Sequence, residues 1–273
     1  MEGPMIPGQP PSGLFAGIDD IVERHFAIGD IGTRQPRVRT RSAAQRLSGA
    51  PPAAFDGQAL VAEPLARIEA NWRVGGAGRR PSEENWHLTK QLFISPHNTS
   101  PEKTLEKAIA RVSGEAWANQ VPTASGLLGG TGDKHRNIDL VFDRRDGAFE
   151  LIELKHGSDT PLFAAIETLL YGVLFLVSRR HYAVLGGRIG PLLAARAVHL
   201  RVLAPADYYR GWDFAWLEAA LSDGLARTVA DRDEFPEVMD FAFTSFPAGF
   251  RWPCGGEGLA TALDDRRSVR WGA

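Results

Sequence analysis

The chain has 273 residues, 44% hydrophobic and 23% charged, which is enough apolar material for a globular protein with a substantial core. The formal net charge of −2 excludes a global positive field, so any contact with nucleic acid must use local basic patches. The single cysteine, Cys254, excludes a disulfide framework and suits a reducing cytoplasm, and the scattered histidines give no zinc-binding spacing.

The sequence predicts a soluble, cytoplasmic protein without a membrane partner. The N-terminus lacks a basic segment followed by an apolar core, which is the pattern of a signal peptide. The most apolar run, Pro161–Val177, is short for a membrane span and carries Glu167 near its middle, so we expect a buried helix there.

The N-terminal region begins with a Gly- and Pro-dense stretch, residues 1–13, that predicts a disordered tail. Apolar spacing predicts a short helix within residues 14–28. The segment from Ile31 to Phe55 then contains no acid and five arginines: Arg34, Arg37, Arg39, Arg41 and Arg46. Such an arm either tracks a phosphate backbone or is a solvated linker, and the sequence does not choose between them.

A second helix is predicted over Gln58–Arg73, with Pro64 near its first turn, where proline is tolerated. The glycine-rich break that follows, residues 75–78, predicts a boundary between an N-terminal extension, residues 14–95, and a core over residues 96–250.

The core is expected to open with a helix over Pro101–Asn119, capped by Thr99 or Ser100. Glu102 lies near the apolar stripe of this helix, whereas Glu106 is expected farther round, toward solvent. Thr99 and Glu102 also fit a capping box, which is the purely structural interpretation of this acid.

The most informative stretch is a predicted β-hairpin with strands Ile138–Phe142 and Phe149–Leu154, joined by the polar turn at residues 143–147. Side chains alternate faces along a strand, so Glu153 and Lys155 share one face while Leu154 points the other way. In an antiparallel pair Asp139 comes to the same end and face. Two carboxylates and an amine are therefore predicted to converge at the rim of a sheet.

This grouping suits divalent-metal chemistry. Mg²⁺ takes oxygen ligands, usually one or two carboxylates with water and substrate phosphate, and makes a water more acidic. A lysine beside it can orient that water or stabilise negative charge. The alternative is a hairpin whose charges are merely solvated.

Asp139, followed after thirteen residues by Glu153-Leu154-Lys155, resembles the PD-(D/E)XK nuclease superfamily, with Ile138 in place of the loosely kept proline. The resemblance covers Ser100 to Leu203 and implies an α/β fold of the restriction-endonuclease-like type, an α-β-β-β-α-β core around a mixed sheet. The flanks supply the remaining elements in that order: a first strand Gln120–Leu128, a second helix Pro161–Ser178 and a fourth strand His199–Leu203.

The resemblance also implies roles for particular residues. Asp139 and Glu153 would bind Mg²⁺ or Mn²⁺, a first-helix glutamate would help (Glu102, with Glu106 in reserve), and Lys155 would position the water. Glu167, a lone carboxylate in an apolar helix, needs a polar partner and would face the site, or else form a structural salt bridge.

The remaining predictions concern substrate contacts and the C-terminus. The glycine-rich residues 129–134 lack a P-loop ending, but as a mobile loop they would bring Lys134 and Arg136 to phosphates, alongside Arg34, Arg37, Arg39 and Arg41. A helix is expected over Phe214–Val229 and a strand over Met239–Phe246, followed by a tail, residues 251–273, that the sequence does not assign.

Together these residues predict a metal-dependent phosphodiesterase that acts on nucleic acid, foremost a DNA endonuclease, with a homodimer left open. The alternatives are a non-cleaving nucleic-acid-binding or scaffold protein that keeps this fold, and a metal-dependent enzyme acting on a small phosphorylated substrate.

Overall fold

A computed structural model describes residues 13–28, 37–76, 79–112, 114–128, 136–185 and 189–272. The α-helices in these ranges are α1 Ile18–His25, α2 Arg41–Leu47, α3 Gly57–Gly75, α4 Pro101–Val112, α5 Pro161–Leu185, α6 Ala215–Val229 and α7 Gly256–Asp264. The strands are β1 Trp117–Pro122, β2 Asn137–Asp143, β3 Ala148–Leu154, β4 Ala197–Ala204, β5 Val238–Ser245 and β6 Arg267–Ser268. Short 3-10 helices span Arg37–Arg39, Gly114–Ala116 and Ala206–Tyr209. The predicted α/β class is confirmed, whereas the predicted tail, residues 1–13, lies outside the described ranges except for residue 13.

The six strands form one mixed sheet in the order β1-β2-β3-β4-β5-β6. Strands β1, β2 and β3 pair antiparallel, β3, β4 and β5 pair parallel, and β6 pairs antiparallel with β5. Because β3, β4 and β5 run the same way, their C-terminal ends meet at one edge of the sheet. The end of β3, with Glu153 and Lys155, lies on this edge beside the loops that follow β4 and β5.

Helices cover both faces of the sheet, and the alternation of side chains explains which residue faces which layer. One hydrophobic cluster joins α4 and α7 to sheet residues that include Leu140, Ile152 and Leu154. The larger cluster joins α1, α3, α5 and α6 to residues such as Val141 and Leu151. Asp139 and Glu153 have the same parity as Val141 and Leu151, so they belong to the face that α5 covers.

Helix α5 is the central element of the larger layer and extends beyond the predicted Pro161–Ser178. Its stretch Pro161–Tyr182 is long and apolar enough to cross a membrane, but 78% of its most apolar window is buried within the fold. This burial is what a core helix of a soluble protein shows, as the sequence predicted.

The N-terminal segment contributes to the same core. Leu14, Leu60 and Ile68 are fully buried in the larger cluster. Helix α3 also passes so close to α6 that a Cβ added to Gly224 would stand 2.4 Å from the Gly57 carbonyl oxygen. The domain boundaries expected at residues 75–96 and 250 remain predictions.

Two predicted boundaries are wrong. The helix expected over Pro101–Asn119 ends at Val112, and the first strand runs over Trp117–Pro122 and not Gln120–Leu128. Gly114 has a φ of 62°, which suits glycine and ends the helix, so the chain turns into the sheet earlier than apolar periodicity indicates. The unassigned tail forms α7 and β6, because Leu259 and Leu263 pack on the second face of the sheet.

Candidate active site at the end of the hairpin

The hairpin register aligns polar residues across three neighbouring strands. Leu140 pairs with Ile152, which brings Asp139 opposite Glu153, and the β1 register brings Gln120 opposite Asp139. One Asp139 carboxylate oxygen accepts a hydrogen bond from the Leu154 backbone N–H at 3.1 Å. The sequence prediction that Asp139 and Glu153 share one end and one face of the sheet is confirmed.

Lys155 lies at the centre of a buried ion-pair cluster, and only 4% of its surface is exposed. Its Nζ stands 2.7 Å from Glu153 Oε1 and 3.0 Å from Glu167 Oε2. The Asp159 carboxylate is farther away, with Oδ2 at 3.8 Å. Glu167 therefore reaches across from α5 to the end of β3, which meets the expectation that this carboxylate has a polar partner.

The electrostatics of the cluster are dominated by burial. Burial raises the pKa of Asp139 to about 7, although nearby Lys155 lowers it, and the charges of Glu106 and Glu102 add to the rise. Burial and the Asp139 charge likewise hold the pKa of Glu153 well above its ordinary range. Burial alone would lower the pKa of Lys155, but Glu153 and Glu167 reverse this and raise it. Lys155 consequently stays positively charged, and it lies between the carboxyl groups of Glu153 and Glu167, which repel one another.

The two glutamates of α4 have different surroundings. Glu102 Oε2 accepts hydrogen bonds from the His156 backbone N–H at 3.0 Å and from Ser158 Oγ at 2.7 Å, so it ties α4 to the loop after β3. The helix is capped by Ser100, whose Oγ accepts from the Lys103 N–H at 3.2 Å.

The expectation that Glu106 points toward solvent is wrong, since only 3% of it is exposed. Its carboxylate accepts hydrogen bonds from the side-chain amides of Asn119 at 2.5 Å and Gln120 at 2.9 Å. Gln120 has a φ of 53°, an unusual value for a non-glycine residue inside a strand and one that turns its amide toward α4. Glu106 is thus held by β1, one strand away from Asp139.

The basic residues predicted to contact phosphates are spread over several places. Arg39 binds Asp159 through two hydrogen bonds of 2.8 and 3.2 Å, which attaches the N-terminal arm to the rim of the cluster. Arg41 lies over the Trp212 ring at 5.5 Å, and Arg136 over the Phe15 ring at 3.7 Å. Arg34, Lys134 and the side chain of Arg37 lie outside the described part of the chain.

Two tyrosines near the cluster were not identified from the sequence as site residues. Burial raises the pKa of Tyr171 on α5, and the charges of Glu153 and Asp139 raise it further. The hydroxyl of Tyr208, in the loop after β4, is buried and has no hydrogen-bond partner among the residues that the structure describes, and the charges of Lys155, Asp159 and Glu102 act on it. No local motif marks Tyr208; it reaches the cluster only because β4 lies parallel to β3.

The residues at this edge suit one hard divalent cation better than a closed metal site. Among the described residues no group of three or more His, Cys, Asp or Glu side chains is placed to hold an ion together. Two carboxylates are nonetheless an ordinary protein contribution to a Mg²⁺ site, where water and substrate phosphate complete the shell. Burial keeps the pKa values of Asp139 and Glu153 raised in spite of the nearby Lys155 charge, and a bound cation would add positive charge beside this pair.

Comparisons with protein-family models, with curated proteins and with solved structures find no match for this chain.

Proposed function

We propose that this chain is a divalent-metal-dependent phosphodiesterase with a restriction-endonuclease-like core, acting on nucleic acid and foremost on DNA. The observation that carries the proposal is the convergence of Asp139, Glu153 and Lys155 on one face at the end of a hairpin, with Glu167 completing the ion pairs of Lys155. The proposed location is the cytoplasm.

The order of the elements supports the proposed fold. Helix α4, strands β1, β2 and β3, helix α5 and strand β4 follow one another as in the resembled superfamily, around a mixed sheet with helices on both faces.

In the proposed mechanism Asp139 and Glu153 hold Mg²⁺ or Mn²⁺, and the Leu154 N–H fixes the direction of the Asp139 carboxylate. The bound cation would supply Lewis-acid stabilisation of a phosphoryl oxygen and make a water more acidic. Lys155 stays protonated because its pKa is raised, so it can orient a water or neutralise a phosphate oxygen but cannot act as the general base. Glu167 holds the Lys155 ammonium group in place.

Glu102 is assigned a supporting role. Its Oε2 oxygen already accepts two hydrogen bonds from the loop after β3, so it positions that loop beside Lys155. A direct contact with the cation would use its other oxygen. Glu106, the reserve, is bound to Asn119 and Gln120 and contributes negative charge near Asp139.

A non-cleaving scaffold is the second candidate, and one observation favours it. Lys155 is paired with Glu153 and Glu167 within hydrogen-bond distance, so the cluster is also a satisfied buried ion-pair network. Such networks occur without any catalytic role.

Calorimetry with Mn²⁺ separates the two candidates. The wild type should bind Mn²⁺, and Glu153→Gln should weaken binding by at least an order of magnitude, because a neutral amide is a poor ligand for a hard cation. Glu150→Gln is the matched control: it lies on the same strand but the opposite face, and its Oε2 is bound to Arg266 at 3.0 Å. Equal binding by all three proteins would remove the metal assignment.

A further inference from the structure

A groove of about 1190 Å³ lies at the same sheet edge as the candidate site. Its walls are the loop after β4 (residues 206–213), the end of β5 with the loop that follows (residues 245–251), and residues 267–272 around β6. Strands β4 and β5 are parallel to β3, so these loops and the end of β3 emerge on one side of the molecule.

The groove is positively charged although the chain as a whole is acidic. Four arginines line it: Arg210, Arg251, Arg267 and Arg270. Two carboxylates, Asp207 and Asp213, also line the groove. Asp207 pairs with Arg210 at 2.5 Å and with Arg251 at 3.3 Å, and the two acids together neutralise only part of the charge of the four arginines. Arg267 and Arg270 are exposed, and neither forms an ion pair with any residue that the structure describes.

Aromatic rings are fixed in the walls between these charges. The Trp212 ring stacks on Phe214 with centroids 6.0 Å apart, and Phe250 stacks on Phe246 at 4.2 Å. Phe250 is only partly buried and presents ring surface to the groove. Trp212, also partly buried, lines the groove with the Arg41 guanidinium over its ring at 5.5 Å, which adds a positive charge there.

The groove adjoins the candidate site through two contacts. Tyr209 lines the groove and packs against Tyr208, whose hydroxyl lies in the field of Lys155, with the two rings 5.1 Å apart. Trp252, directly after the groove residue Arg251, donates its indole N–H to Thr104 Oγ1 at 3.0 Å, on the helix that carries Glu102.

We propose that this groove binds a single-stranded segment of nucleic acid, which leads from the groove past Tyr208 to the candidate site. A positive groove that follows the phosphates, with aromatic faces on which bases stack, is the general solution for single strands. The proposed nuclease activity gives this segment its role as the substrate strand, and the inference rests on it to that extent.

Fluorescence anisotropy with a labelled single-stranded oligonucleotide, measured in EDTA over a range of salt concentrations, tests the groove without requiring cleavage. The variant is Arg267→Ala with Arg270→Ala. The charge-matched control is Arg196→Ala with Arg232→Ala: Arg196 pairs with Glu237 at the opposite edge of the sheet, and Arg232 lies over Phe235. Thermal unfolding of each protein verifies that it remains folded.

We expect the wild type to prefer the single strand over a duplex of the same sequence. Each phosphate contact on a single strand contributes about 0.7 to the slope of log affinity against log salt, so the groove variant should lose about 1.4 while the control keeps the wild-type slope. An unchanged slope in the groove variant, a preference for duplex, or no binding by the wild type would overturn the inference. Strand binding without any cleavage would instead remove the proposed nuclease function and leave the binding site.

Discussion

Replacing Asp139 by Asn should stabilise the protein at alkaline pH, which is unusual for a substitution in a partly buried site. The amide can still accept the Leu154 N–H hydrogen bond of 3.1 Å, so the local backbone contact is kept. What the substitution removes is a negative charge that faces Glu153 and lies in the field of Glu106 and Glu102.

The size of this stabilisation and the pH range in which it appears follow from the pKa of Asp139. Its ordinary value of 3.8 rises to about 7 in the folded protein. Between these values the folded state keeps a proton that the unfolded state has released, so the free energy of unfolding falls as pH rises from about 4 to 7 and then levels off. The full difference corresponds to about 4 kcal/mol. Because Asp139 keeps some solvent contact, we expect Asp139→Asn to recover about 1–2 kcal/mol of this above pH 7.

Urea unfolding in EDTA at a series of pH values between 4 and 8 measures this effect. The gap between Asp139→Asn and wild type should be near zero at the acidic end and should open as pH rises to about 7. Asp143→Asn, on the same strand beside the hairpin turn, is the matched control substitution. A gap that is independent of pH, or an Asp139→Asn protein less stable than wild type at pH 8, would refute the electrostatic description of the site.

Three further substitutions test neighbouring features. Lys155→Met should lower the free energy of unfolding in urea by about 3–5 kcal/mol, because it leaves Glu153 buried without its cation. It should also lower turnover at least a hundredfold. Turnover equal to that of the wild type would place the chemistry elsewhere. Tyr208→Phe should leave stability unchanged, since no described residue bonds its hydroxyl, but should weaken substrate binding roughly tenfold to a hundredfold if that hydroxyl meets a phosphate. Gly224→Ala should destabilise by about 1–3 kcal/mol through the clash with the Gly57 carbonyl, whereas Gly258→Ala, with open space around it, should be neutral or stabilising.

The hairpin and the acids on it were predictable from the sequence because they depend on local rules. Alternation along β3 assigns Glu153 and Leu154 to opposite faces, and a short polar turn sets an antiparallel pair that brings Asp139 alongside. The apolar run of α5 likewise identifies a core helix without knowledge of its neighbours. The function attached to these residues remains a proposal.

What the sequence could not provide depends on contacts between distant segments. The burial of Glu106 is decided by the Asn119 and Gln120 amides, and the turn at Gly114 that delivers them has no periodic signal. The groove arginines were missed for the same reason: Arg210, Arg251 and the pair Arg267 and Arg270 come from three separate segments, which meet only at the end of the parallel strands.

The structure also changes how the arginine arm should be tested. Deleting residues 1–48 would remove Leu14, Val38 and Ala44, which are buried in the main core. The deletion would therefore destabilise the fold as well as remove any phosphate contacts of the arm. Arg39 is engaged with Asp159, so its own substitution is the cleaner test of the arm.

Cleavage of nucleic acid by the wild type and by Glu153→Gln tests the central claim most directly. Circular and linear duplex DNA, single-stranded DNA and RNA are each incubated with Mg²⁺ or Mn²⁺ and with EDTA, after unfolding curves have shown that both proteins are folded. We predict metal-dependent hydrolysis by the wild type and none by Glu153→Gln. Wild-type protein that cleaves none of these substrates, or a Glu153→Gln variant that cleaves as fast as wild type, would contradict the account.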